Sequence, residues 1–267
     1  FIQRNPLYEI FTSSTCGPCR PGNMNFHSIT DSRKGEFVAI KYQQNFPGSG
    51  DPYSTDESVA RRNFYSINSI PRMMIDGGWD QNAASFTAQL HEDSRLVPSF
   101  LDMELEYEFD EDAQTISYDL NIDALQDFNN VLLHVAIVEE ITFDNVKNNG
   151  ETEFEQVMKK MMPDNTGRSV SITEANNYTL TESFTFEGNY RLPANANSPI
   201  NHSSEHSVED FDDIYVIAWI QDPQTNEVHQ AVQGVEKDKS STSNLEEDNS
   251  ISLFPNPTNH NATLRID

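Results

Sequence analysis

One stretch near the start of the chain decides the fold: residues 7–22 read LYEIFTSSTCGPCRPG. Its first half is a short β-prone run, and the only two cysteines of the chain, Cys16 and Cys19, follow directly. Because proline is tolerated in a helix only in the first turn, Pro18 predicts a helix that begins at this motif and runs to about Ser32. The cysteine pair is therefore predicted at a strand-to-helix junction.

This placement gives the two thiols different chemistry. The positive end of a helix favours negative charge, so the pKa of the Cys16 thiol should fall, and the thiolate is the attacking species. We expect the Cys16 sulfur to be exposed at the helix N-terminus and to form a mixed disulfide with a substrate. Cys19, one turn further on and more buried, would then attack Cys16 and release the product.

Two other interpretations of the cysteine pair remain open. Half of a zinc site has the same spacing, but the chain has no second pair, and His27 does not stand at a zinc-finger spacing. A purely structural disulfide is the other alternative, although a loop this short contributes little stability through chain entropy. The sequence predicts no metal ion and no other cofactor.

A second motif, Ile70-Pro71, precedes a predicted strand at Arg72–Asp76. A residue before proline favours an extended conformation, and a proline here could carry a cis bond. The loop would then face the dithiol and offer backbone groups to an extended peptide, which makes Ile70 and Pro71 candidate substrate-binding residues. The plainer interpretation is a proline that separates a helix from a strand.

Residues 1–96 alternate between strand-like and helix-like segments, in the order β-α-β-α-β-(β)-α. This order predicts an α/β layer with a central sheet. Phe37–Ile40 is typical of a strand buried on both faces. Ala60, Phe64 and Ile67 have the spacing of an apolar helix face.

From residue 97 the apolar period changes to two, which predicts an antiparallel, immunoglobulin-like β-sandwich over 97–236. Leu101–Phe109 alternates most clearly, and Glu153–Met162 is interpreted as a short helical insertion. Further strands are predicted at Val131–Val138, Tyr178–Phe186, Tyr215–Ile220 and Val228–Val235. The polar segment 237–250 is predicted to be a linker, and 251–267 to be the start of a β-module that the chain does not finish.

Charge excludes some classes of function. The formal net charge is −26, and the mean hydropathy is −0.63. Nucleic acids and anionic membrane surfaces both require a positive face, so neither is a predicted partner. No apolar run approaches the roughly 20 residues of a transmembrane helix.

The motif Cys16-Gly17-Pro18-Cys19, together with Ile70-Pro71 downstream, resembles the thioredoxin-like superfamily over about 1–96. More closely, the chain is similar to the Bacteroidetes outer-membrane-protein family of the 28-kilodalton type. The matching stretches are Gly50-Asp51-Pro52, Asn63–Ile67, Ile70–Gly77, His134–Glu139 and Ala218–Asp222. Members of that family append a β-sandwich to a thioredoxin-like domain.

The resemblance implies roles for individual residues. Cys16 would be the nucleophile, Cys19 the resolving thiol and Pro71 the cis-proline, acting on protein or peptide thiols and disulfides. Ile10 stands where thioredoxins carry a buried carboxylate. Glu9, one position away, should point to the other side of the strand, which makes it a weak candidate for a proton shuttle.

The tail Leu253–Thr258 resembles the start of a type A sorting domain of the type IX secretion system. This resemblance implies that the type IX machinery is a partner, and that the protein is secreted or displayed at the outer-membrane surface.

Three further groups of polar residues are less typical of a functional site. Arg72 stands after the candidate cis-proline and is interpreted as surface charge. His202 and His206 have a metal-ligand spacing only if they lie on a helix, and their surroundings favour a loop. The acidic run Asp210–Asp213 lacks calcium-loop spacing.

Two functions therefore remain. The first is a thiol–disulfide oxidoreductase, and the second is a non-catalytic surface binding or adhesion protein that uses the thioredoxin fold as a scaffold.

Overall fold

The computed structural model describes residues 1–191, 198–237, 252–255 and 262–265. These residues fall into two units, Phe1–Glu236 and Lys237–Asp267. The predicted boundary at residue 96 lies inside the first unit, and the predicted linker begins where that unit ends.

The first ninety-six residues form a thioredoxin-like arrangement. Four of its strands lie in the order β3-β2-β4-β5, with β3 parallel and β4 antiparallel to the central strand β2, and three helices accompany them. The elements are β1 (Ile2–Gln3), β2 (Leu7–Thr12), α1 (Cys19–Thr30), β3 (Val38–Gln43), α2 (Asp56–Phe64), β4 (Arg72–Ile75), β5 (Trp79–Gln81) and α3 (Ala88–Leu96).

Helix α1 begins at the second cysteine and ends close to the predicted position, followed by a 3₁₀ turn over Asp31–Arg33. The turn between β4 and β5 requires Gly77, whose φ is +71°. A Cβ atom at this position would lie 1.8 Å from the carbonyl oxygen of Asn226. Only glycine combines this backbone conformation with so close an approach.

Among the described residues that follow, up to Glu236, nearly all regular elements are strands. Their bounds are β6 (Pro98–Ser99), β7 (Leu101–Asp110), β8 (Thr115–Ala124), β9 (Phe128–Thr142), β10 (Phe154–Met162), β11 (Arg168–Ile172), β12 (Tyr178–Thr185), β13 (Asn189–Tyr190), β14 (Glu205–His206), β15 (Ile214–Gln221), β16 (Val228–Gln233) and β17 (Val235–Glu236). The predicted strands in this region are confirmed, with ends that differ by a few residues.

A sandwich is present, but one of its sheets belongs to both regions. Strands β12-β8-β7-β17 form one sheet, whose inner face packs against β9, β11 and β15. Strand β10 joins β9 and β15 to β3, so a single sheet contains strands of both the thioredoxin-like region and the sandwich. The sequence did not predict this shared sheet.

The shared sheet explains the apolar runs of β9 and β15. Val135 and Ile137 face the core of the sandwich, whereas Ala136 and Val138 pack with Phe11 in a second core. Both faces of these strands are therefore buried, as in the parallel sheets of α/β proteins. Apolar and polar residues alternate instead on β7, β8 and β12, whose outer faces are turned to solvent.

The predicted helical insertion at Glu153–Met162 is wrong, because this segment is strand β10. It pairs antiparallel with β9 and parallel with β3 at Val157–Lys41, and it is buried along almost its whole length. Its two lysines are buried as ion pairs: Lys159 contacts Glu139, and Lys160 contacts Glu57.

The predicted apolar face of α2 is wrong in part. Ile67 is buried in a hydrophobic core but lies beyond the end of the helix, and Phe64 is exposed. The residues that α2 buries are Glu57, Ser58 and Arg61. The helix begins with a capping box between Thr55 and Ser58. It is therefore held by polar contacts rather than by an apolar stripe.

In the C-terminal unit the structure describes two short strands, β18 (Ser252–Pro255) and β19 (Ala262–Arg265), which pair antiparallel. Most of the predicted linker, residues 238–250, lies outside the described residues. The same holds for 251, 256–261 and 266–267 of the predicted sorting module.

Candidate functional site

The two cysteines form a disulfide between the end of β2 and the start of α1. The connecting loop is closed by two backbone hydrogen bonds, from Cys16 N to Ser13 O and from Cys19 N to Cys16 O, both 3.0 Å long. The thioredoxin-like strand order therefore delivers both sulfurs to the N-terminal end of α1, where unpaired N–H groups favour negative charge.

Cys16 is not exposed, contrary to the prediction. It is 2% exposed, and Cys19 is fully buried. The segment between β9 and β10, residues 143–153, lies against the disulfide loop. Asn149 donates its backbone N–H to Ser14 O at 3.0 Å and its side-chain amide to Ser13 O at 3.2 Å. The sequence could not predict this contact, because the segment is more than a hundred residues away along the chain.

Asp51 fixes the other side of the loop. Its buried carboxylate accepts the backbone N–H of Ser14 and that of Tyr53, and Asn145 of the covering segment donates to it at 3.3 Å. Burial raises the pKa of the Asp51 carboxyl, an effect that these donors partly offset. One carboxylate therefore holds both the disulfide loop and the segment that covers it.

A cavity of about 350 Å³ opens beside the residue that precedes Cys16. Thr15 lies in its wall and donates its hydroxyl to Pro47 O at 2.7 Å. The cavity is lined by Thr15, Pro47, Gly48, Ser49, Lys147 and Asn148. Neither cysteine lines this cavity.

The Ile70–Pro71 peptide bond is cis. Strand β4 begins at the next residue, Arg72, which pairs with Phe11 near the end of β2. The proline thus stands at the end of the sheet from which the disulfide loop emerges. The roles of Ile70 and Pro71 in substrate binding stay predictions. Arg72 forms an ion pair with Asp80 of β5 and is about one-third exposed, as expected of surface charge.

Glu9 points away from α1, as its position on the strand predicts. It is fully buried beneath α2, where Arg61 donates to both of its oxygens, at 2.7 and 3.1 Å, and Tyr42 and Tyr65 donate as well. On the α1 side of the sheet its neighbour Ile10 packs with Tyr8 and Phe26. Glu9 therefore lies on the opposite face of β2 from the dithiol helix.

The sequence reasoning missed Lys41, which is paired in register with Ile10 and is buried. Its Nζ lies 2.6 Å from Nε2 of His27 on α1. Burial lowers the pKa of Lys41 to about 8, and burial together with Lys41 lowers the pKa of His27 to about 3. A lysine inside an apolar strand run was the available signal, because a buried lysine requires a specific partner.

Similarity to known proteins is seen at the level of fold. No family model and no curated protein matches the sequence. The fold is similar to that of HBP35 of Porphyromonas gingivalis, with a TM-score of 0.63 and 13% identity over 100% of this chain and 86% of that one.

Two further structures are more distant. A protein from Agrobacterium tumefaciens has a TM-score of 0.53 and 14% identity, over 87% of this chain and 95% of that one. A domain of the outer membrane lipoprotein Omp28 from P. gingivalis has 17% identity over 51% of this chain and 88% of that one, but its TM-score of 0.31 carries no argument. At such identities the likeness shows the fold alone.

The remaining candidates are not brought together as a site. His202 contacts Glu57, and His206 packs against Phe211. Asp210 caps the 3₁₀ turn Phe211–Asp213. Among the residues that the structure describes, no helix is long and apolar enough to cross a membrane.

Proposed function

We propose that the chain is a thiol–disulfide oxidoreductase that acts on protein or peptide disulfides through Cys16 and Cys19. The observation that carries this proposal is the disulfide between these residues at the N-terminus of α1, in a thioredoxin-like arrangement of strands. Both cysteines of the chain are used in this one bond.

The exchange is balanced in sulfur and electrons. In the reduced form, the Cys16 thiolate attacks one sulfur of a substrate disulfide, and the other substrate sulfur leaves as a thiolate. Cys19, deprotonated, then attacks Cys16 and releases the second substrate thiolate. The substrate gains two electrons and the Cys16–Cys19 dithiol is oxidised, so a second dithiol must reduce it before the next cycle.

The burial of Cys16 sets a condition on this mechanism. Since neither cysteine lines the cavity beside Thr15, the segment 143–153 must move away from the disulfide loop before a substrate reaches the sulfur. The hydrogen bonds from Asn149 to Ser13 and Ser14 are the contacts that such a movement would break. Access rather than thiol chemistry would then limit the rate.

We further propose that the protein acts at the cell surface or outside the cell, with the type IX secretion machinery as a partner. Support comes from the resemblance of Leu253–Thr258 to the start of a type A sorting domain. An oxidising compartment also agrees with a disulfide as the resting state.

The second candidate function is a non-catalytic surface binding protein. The burial of Cys16 favours it, because a disulfide that no substrate reaches only closes a loop. The apolar Ile10 favours it too, since no carboxylate stands at that position to accept a proton.

Insulin reduction by the wild type and by two variants separates the two functions. Turnover should be present in the wild type and absent in C16S. C19S should accumulate a mixed disulfide with the substrate through Cys16, which is detectable by mass. Equal, background turnover in the wild type and C16S in every redox buffer, with no trapped adduct in C19S, would overturn the catalytic proposal.

A further inference from the structure

A second polar cluster lies at the other end of the dithiol helix. His27 and Asp31 stand one turn apart at the end of α1, and Glu155 faces them from β10. The His27 Nδ1 atom lies 3.5 Å from Asp31 Oδ1 and 3.4 Å from Glu155 Oε2. One nitrogen and two carboxylate oxygens therefore converge, all within 4.8 Å of one another.

His27 Nδ1 is buried and forms no hydrogen bond of normal geometry, although both carboxylate oxygens lie within 3.5 Å of it. The other ring nitrogen is occupied by Lys41, whose Nζ lies 2.6 Å away and fixes the orientation of the ring. A buried nitrogen that faces two carboxylates and forms a normal hydrogen bond with neither calls for an explanation such as an ion.

We propose that His27, Asp31 and Glu155 form a binding site for a divalent transition-metal ion of the zinc type. Zinc bonds to histidine nitrogen and carboxylate oxygen are about 2.0–2.2 Å long, so two ligands of a tetrahedral ion are about 3.3–3.5 Å apart. The two distances from Nδ1 match this separation. Water would complete the coordination.

The donor set selects against the commoner hard cations. Calcium requires six to eight oxygens, and magnesium requires oxygen ligands in octahedral geometry. A set that contains an imidazole nitrogen favours zinc, cobalt or a related ion. An entry path exists, because a cavity of about 220 Å³ is lined by His27, Lys41, Glu155 and Glu151.

Ion binding would have a defined structural consequence. The ion would tie the end of α1 to the start of β10, which directly follows the segment that covers the disulfide. The site would stabilise the folded chain by mass action.

The test uses the full chain with the Cys16–Cys19 disulfide kept intact, so that no thiol competes for metal. Zn²⁺ binding is measured by calorimetry, and Co²⁺ binding by its visible absorption, both in excess Mg²⁺ to occupy non-specific carboxylates. The wild type should bind one ion. H27Q and E155Q should each weaken binding by at least about tenfold, the lower bound for losing even an outer contact of a metal site.

The matched control is E153Q, which removes the same charge from the wall of the same cavity. It should bind as the wild type does. Equal affinities in wild type, H27Q and E155Q would show that the acidic surface alone collects the ion, and would overturn the proposal. Binding by the C16S/C19S double variant should be unchanged, so the result is independent of whether the chain exchanges disulfides.

Discussion

The buried pair of Glu9 and Arg61 shows how a single residue on α2 holds the core together. Arg61 is 1% exposed, donates to Glu9 and to Gln221 of β15, and lies over the rings of Tyr65 and Trp219. It therefore joins α2, β2 and β15. A charge this deeply buried is tolerated only because its partner is fixed beside it.

Replacing Arg61 by methionine should be strongly destabilising, because it leaves the Glu9 carboxylate buried without its cation. We expect R61M to lower the free energy of unfolding by about 3–5 kcal/mol in urea titrations. R62M, on the next and more exposed residue of α2, should change it by less than about 0.5 kcal/mol. Equal losses in the two variants would contradict the structural role of the pair.

Asp76 gives the stability a defined pH dependence. Burial raises the pKa of its carboxyl from 3.8 to about 6, although Arg4 and the backbone N–H of Leu7 partly oppose the shift. The folded chain therefore holds a proton that the unfolded chain releases, so stability falls as the pH rises from about 4 to 6. A pKa shift of this size corresponds to a contribution of at most about 3 kcal/mol to the free energy of unfolding.

We expect D76N to remove this contribution. The free energy of unfolding of the wild type, relative to that of D76N, should fall by about 2 kcal/mol between pH 4 and pH 6.5 and change little above that. Asparagine tolerates the positive φ of this position, +49°, so the backbone is preserved. A difference that does not change with pH would show that Asp76 is not the titrating group.

At the scale of elements, the segment 143–153 lies against the disulfide loop, and in the proposed mechanism it controls access to the disulfide. Replacing Asn149 by alanine removes the side-chain hydrogen bond to Ser13 O and the side-chain hydrogen bonds with Glu151 within the segment, and it leaves the backbone bond to Ser14 in place. A hydrogen bond contributes about 1 kcal/mol, so N149A should make reduction of the disulfide by dithiothreitol about three- to tenfold faster.

The control is N176A, in a turn of the sandwich that does not contact the disulfide loop. Its reduction rate, followed by mass after alkylation, should equal that of the wild type. A rate for N149A that also equals the wild type would mean that the segment does not limit access.

Strands and helices were predictable from the sequence where the residue pattern within the element itself indicates the structure. Strands β7 and β8 alternate because one face is wet, and α1 begins where the cysteine motif and its proline place it. Strand β10 was not predictable, because its methionines, lysines and glutamates favour helix locally. Its pairing between β9 and β3 overrides that preference.

The candidate site divides in the same way. The cysteine pair and the position of Pro71 follow from local sequence. Lys41 and the covering segment follow from pairings between distant parts of the chain, for which a single sequence holds no local signal. For the same reason, the sequence alone did not indicate that Arg61 of α2 would be buried against Glu9 of β2 and Gln221 of β15.

At the scale of the whole molecule, the shared sheet makes the two regions depend on each other. The strand β3 is covered along one edge by β10, and the core beneath it contains Trp219 and Ile217 of β15 together with Phe11. Polar contacts cross in the same place, since Lys160 of β10 pairs with Glu57 of α2. Each of these contacts joins a residue before position 96 to one after it, so cutting the chain there removes them all.

A fragment of residues 1–96 should therefore fail to fold by itself. It would expose the edge of β3 and the apolar face that β15 covers. It would also leave Glu57 without its partner Lys160 and remove the strand that pairs with β3 at the buried Lys41. A fragment of residues 1–236 should keep all of these contacts and unfold cooperatively. Circular dichroism during urea titration checks both fragments. A cooperative transition in the 1–96 fragment would show that the thioredoxin-like region is stable without the strands that extend its sheet, and that the shared sheet joins two independent domains.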